Sequence, residues 1–175
     1  MKLLITLGLF ISGSALASQA DIDTIEAASM TLDNTTLNEV IEQNNGYIKA
    51  LANYRLSIVH KINAKPDDAI SALSSTINEL EKVVSVSPND DEAWALLSHS
   101  YGFMISFKPQ LAAEYGQKSM QAIVQAEKID DTNPRVMLFK GVMSFNTPAV
   151  YGGSKNKAMK ELNNAISLFE NDHKS

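Results

Sequence analysis

Cysteine is absent from all 175 residues. That excludes disulfides, a thiolate nucleophile, a Cys-ligated metal site and a lipid attached to a leader cysteine. A basic excess is also missing: 15 Lys and Arg stand against 20 Asp and Glu, for a formal charge of −5. Mild acidity of this kind favours solubility and argues against nucleic acid or an anionic membrane as the main partner. Histidine is scarce as well. His60, His99 and His173 are scattered, and neither His60 nor His99 has a second ligand three or four residues on, so no zinc site is expected.

Catalytic signatures are lacking too. There is no G-x-S-x-G elbow. Tyr151-Gly152-Gly153-Ser154-Lys155 lacks the spacing and the preceding strand of a nucleotide loop, and reads instead as a turn reversing the chain into a last helix. The pairs Asp90-Asp91 and Asp130-Asp131 fall at helix starts, where capping accounts for them, without the ligand series of a calcium loop. No catalytic residue, metal or cofactor is therefore expected.

One apolar run is conspicuous, Leu3 to Ile11, preceded by Lys2 and followed by small residues up to Ala15-Leu16-Ala17. A positive end, a short apolar core and an A-x-A-like site describe a secretory signal peptide, and the run is too short to span a bilayer. Cleavage is expected after Ala17, giving residues 1–17 as signal peptide and a soluble periplasmic product. Two further regions follow: short helices over 18–46 and a repeat domain over 47–175.

What is present is helical periodicity. Ile22, Ile25, Ala28 and Leu32 share a face, and Asp33-Asn34-Thr35 supplies caps for a second short helix carrying Leu37, Val40 and Ile41. Asn44-Asn45-Gly46 is expected to close that helix in a left-handed conformation. A longer helix over 47–63 places Ile48, Leu51, Tyr54, Ile58 and Ile62 on one stripe; Pro66 opens its partner and Pro88 stops it. Asn89 or Asp90 then caps a helix reaching Phe107. Pro109 opens the next, with Leu111, Tyr115, Ile123, Val124 and Ala126. After Asp130 to Pro134 comes a short helix ending near Phe145, and Ser154 caps the last, with Ala158, Leu162, Ala165, Ile166 and Phe169 facing inward. Most of the methionines fall on apolar stripes and are assigned to the core.

The second helices share a pattern: Thr76-Leu80-Val83, Ser119-Ile123-Ala126 and Ala158-Leu162-Ala165, with the third positions 43 and 39 residues apart. Small residues around one large knob suit close helix approach, and the interval is that of a helix-pair repeat. Trp94, Leu97, Ser98 and Tyr101 match the first-helix positions of the tetratricopeptide repeat, with Ser98 for the usual Gly. Gly141 supplies the small position of the next unit, Met137 takes the Trp place, and Pro88 matches the terminal Pro. The chain thus resembles the tetratricopeptide-repeat (TPR-like) family. The phrase from Asn133 to Ile166 resembles exported bacterial members, some associated with periplasmic solute transporters.

The resemblance implies an all-α solenoid of about three divergent helix hairpins behind a short helical N-terminal cap. It also implies a concave groove lined by the first helices, where Glu92, Ala95, His99 and Phe103 of the central unit, and Arg135, Leu138, Phe139 and Val142 of the next, would meet a partner. The expected function is a non-enzymatic scaffold or adaptor holding a protein segment or peptide. Two alternatives stand beside it: a small-molecule carrier or transporter-accessory protein with an enclosed groove, and an enzyme with an undetected site.

Overall fold

A computed structural model describes residues 19–172. The expected signal peptide and His173 lie outside the described residues. All regular structure among those described is helical: α1 (Gln19–Met30), α2 (Asn34–Gln43), α3 (Gly46–Ile62), α4 (Pro66–Val86), α5 (Asp91–Phe107), α6 (Ala112–Ile129), α7 (Pro134–Asn146) and α8 (Lys155–Asp172). Single 3₁₀ turns, Pro109–Leu111 and Ala149–Tyr151, precede α6 and α8. None of these helices is long and apolar enough to cross a membrane.

Local chemistry sets the boundaries. Asp33 accepts from the Thr35 and Thr36 amides to start α2, Asp90 from Ala93 to start α5, and Asn133 from Arg135 and Val136 to start α7. Pro66 and Pro134 occupy first helical positions, where the missing N–H has no partner to lose. The Ser154 hydroxyl accepts from the Lys157 amide at the head of α8. One closure differs from expectation. Asn44 ends α2 in extended backbone, and the left-handed Gly46 (φ 59°) begins α3 instead. The left-handed positions that do end helices are Leu32 and Ala64, both at φ 55°.

The helices associate as three adjacent pairs, α3 with α4, α5 with α6 and α7 with α8. The first helix of each pair also approaches its neighbour, α3 with α5 and α5 with α7, while α4 meets α5 and α6 meets α7. Helices α1 and α2 cover α3. Close approach within pairs depends on small side chains. Ser98 Oγ donates to the Ser119 carbonyl at 2.8 Å and Ser119 Oγ to the Ser98 carbonyl at 2.9 Å, which ties α5 to α6 through two side-chain-to-backbone bonds. Between α7 and α8, a Cβ on Gly141 would stand 2.8 Å from Leu162 Cγ. At the reversal before α8, Gly152 is left-handed (φ 89°), and a Cβ on Gly153 would lie 1.8 Å from the Thr147 carbonyl oxygen.

The main core runs from Ile25 and Leu37 through Leu51, Leu73 and Leu80 to Leu97 and Met104. A smaller cluster of Ala95, Ile123, Ala126 and Val136 lies between α5, α6 and α7, and Trp94 and Phe139 pack against both. Several apolar residues expected inside are exposed: Ile62, Val124 and Ile166, and among the methionines Met30, Met120 and Met159. Met30 and Ile62 are the last residues of α1 and α3, and the other four lie on apolar stripes wider than the surface their neighbours cover.

Candidate functional site

The first helices of the three pairs begin in register. Tyr47, Glu92 and Arg135 are each the second residue of their helix, in α3, α5 and α7. The structure brings them together on one carboxylate. Glu92 Oε2 accepts from the Tyr47 hydroxyl at 3.2 Å, and Oε1 accepts from Arg135 at 3.0 Å and from Asn133 Nδ2 at 2.9 Å. Asn133 also donates to Asp91 at 2.7 Å while its carbonyl oxygen caps α7, so one side chain orients both helix starts. Burial and the Glu92 charge raise the Tyr47 pKa well above its ordinary value, keeping the phenol a donor.

About one to three turns further along lies an aromatic row. His99 stacks on Phe139 and meets the edge of Tyr54 at 5.6 Å; Tyr54 in turn meets Phe103 at 6.2 Å. Arg55 lies 5.6 Å from the Tyr54 ring centroid and is paired with Glu26 of α1 at 2.6 Å, while the Lys61 ammonium sits 4.5 Å from the Phe103 centroid. Burial, then the Arg55 charge, lower the His99 pKa to about 4, so the ring is neutral near pH 7. Burial pushes the Tyr54 phenol up to about 12.

Of the residues the sequence nominates, Glu92 with Arg135 and His99 with Phe139 are in direct contact, and Phe103 joins them through Tyr54. Leu138 and Val142 are half-buried on α7. Ala95 is fully buried in the smaller core cluster and leaves the set. Tyr47, Tyr54, Arg55 and Asn133 were missed. Their signal was faint: Tyr47 and Tyr54 stand at the Trp94-to-Tyr101 spacing, which reads equally well as core.

A second polar group joins α6, α7 and α8. Lys140 pairs with Glu127 and lies 3.7 Å from Glu161, which Lys157 also approaches at 3.7 Å; Glu161 Oε2 accepts from the Ser144 hydroxyl at 2.6 Å. Glu161 is 9% exposed, and its Oε1 has no hydrogen-bond donor among the described residues. Beside this group a cavity of about 150 Å³ is walled by Ile123, Met143, Lys140, Lys157 and the Gly152-Gly153 turn. Among the described residues no three His, Asp or Glu side chains converge as metal ligands.

No family model matches the chain, and no curated protein matches it.

Proposed function

We propose that this chain is a non-enzymatic, exported helical-repeat adaptor. In this reading the three helix pairs are divergent TPR-like hairpins stacked as a short solenoid, α1 and α2 form its cap, and residues 1–17 direct it to the periplasm. The side formed by α3, α5 and α7 holds a protein segment or peptide. The observation that carries this is the registered convergence of Tyr47, Glu92 and Arg135, with the Tyr54, His99 and Phe139 row behind it. Three first helices thereby bring Arg, His and aromatic side chains together along one strip, with Tyr54 buried and His99, Arg135 and Phe139 half-buried, residue types that contribute most when an interface closes over them.

The test is capture from periplasmic extract by the intact protein and by a Phe139→Ala, Arg135→Ala double variant whose helical circular dichroism matches the parent. Loss of the captured protein is expected; unchanged capture by the folded double variant would end the assignment. The small-ligand alternative draws its own support from the cavity beside Lys140 and Lys157. Native mass spectrometry of the same preparation separates the two, because a carrier retains a small-molecule mass and an adaptor does not.

A further inference from the structure

Helix α8 carries an apolar strip that the fold leaves open. Met159 is 61% exposed and Ile166 56%. Their counterparts 82 residues earlier in the second-helix pattern, Ile77 and Val84 of α4, are only 5% and 8% exposed, because α4 is held between α3 and α5. The one helix whose backbone comes close to α8, among the described residues, is α7. Phe145, 54% exposed, extends the open strip at its start, its ring centroid 5.7 Å from Lys155 Nζ.

The chemistry of this strip is palindromic. Lys155, Met159, Ile166 and Glu170 follow one another at intervals of four, seven and four residues. At about 100° per residue, all four fall within an arc of roughly 60° on the helix surface. Turning the helix end for end exchanges Lys155 with Glu170 and Met159 with Ile166. Two copies of α8 laid antiparallel about a twofold axis near residues 162 and 163 therefore set each Met159 against the partner's Ile166. Each Lys155 then faces the partner's Glu170, and the helix dipoles are opposed. A parallel arrangement would set Lys155 against Lys155 and Glu170 against Glu170. A foreign helix needs none of this symmetry, whereas a second copy of the chain needs all of it. We propose that α8 is the surface through which two copies of this protein pair, antiparallel and isologous.

Lys155 and Glu170 are both exposed, so exchanging their charges tests the pairing without disturbing the fold. Sedimentation equilibrium of the full chain across the micromolar range is expected to show a reversible dimer. Lys155→Glu and Glu170→Lys should each weaken it, on the order of tenfold, since each turns two ion pairs into like-charge contacts. An equimolar mixture of the two variants should recover a heterodimer of near-parental affinity, because both ends are then complementary again. Ile166→Asp should leave the chain monomeric. A parent that stays monomeric at the highest concentration reached would overturn the proposal. So would a dimer that persists in Ile166→Asp, which locates the contact elsewhere, or charge variants that weaken association and do not recover on mixing.

Discussion

His99 lies face to face on Phe139, with 4.6 Å between ring centroids and 19° between the ring planes. Stacked there, and with Tyr54 against its edge, the imidazole is largely removed from water while Arg55 adds a nearby positive charge. Protonation is disfavoured on both counts, and the pKa drops from 6.5 to about 4.

The sign of the resulting pH dependence follows directly. Above about pH 7 the ring is neutral whether the chain is folded or not, and His99 contributes no slope. As pH falls from 6.5 towards 4, the unfolded chain binds a proton that the folded chain refuses, so stability is lost across that window and levels off below it. With the solvent-facing edge of the ring allowed for, the loss should total about 1–2 kcal/mol. Carboxylates titrate in the same range, so the measurement is the difference between parent and His99→Phe in urea unfolding at several pH values. Parallel curves for the two proteins would refute it.

Glu161 fastens α8 to α7 through Ser144 and Lys140, and pairs within α8 with Lys157. Glu161→Ala deletes the hydrogen bond to Ser144 and leaves Lys140, itself largely buried, with Glu127 as its remaining carboxylate. A destabilisation of about 1–3 kcal/mol is expected from the broken buried bond and the weakened ion pairs. Glu161→Gln, which keeps an acceptor for Ser144, should cost less. Equal losses in the two variants, read by urea unfolding, would show that the charge rather than the bond matters.

Ala64 closes α3 at φ 55°, with its amide donating to the Lys61 carbonyl and the Lys65 amide to that of His60. A side chain in this left-handed conformation costs roughly 1–2 kcal/mol, and glycine avoids it. The greater freedom of glycine in the unfolded chain offsets about 0.4–1 kcal/mol. Ala64→Gly should therefore raise stability by about 0.5–1 kcal/mol, visible as a higher thermal midpoint, and a lowered midpoint would contradict the backbone account.

Helix limits were legible because their signals are local. Asp33, Asp90, Asn133, Pro66 and Pro134 each act within a few residues of themselves. Which face of a helix is covered is a different matter. Periodicity groups Ala158, Leu162, Ala165 and Ile166 together, but it cannot say that the covered arc ends before Ile166, since that depends on which helices pack against α8. The candidate site shows the same division. Glu92, His99, Arg135 and Phe139 could be nominated from their places on first helices. Their joining through Tyr47, Tyr54 and Asn133 depends on contacts more than forty residues apart in sequence, for which a single chain carries no local mark. The Lys140, Glu127 and Glu161 group was missed for the same reason, each residue taken alone being an ordinary surface charge.

The single carboxylate of Glu92 bears on how the chain comes apart. In a linear array where each unit touches only its neighbours, unravelling can start at one end and stop at any boundary. Here one side chain serves two boundaries at once, accepting from Tyr47 on one side and from Arg135 and Asn133 on the other. If the third hairpin detaches, Glu92 keeps its charge next to a buried phenol but loses its cation, and the boundary between the first two hairpins weakens with it. Sharing this acceptor makes partial unravelling less favourable than either loss alone would suggest, and pushes the three hairpins towards one cooperative transition.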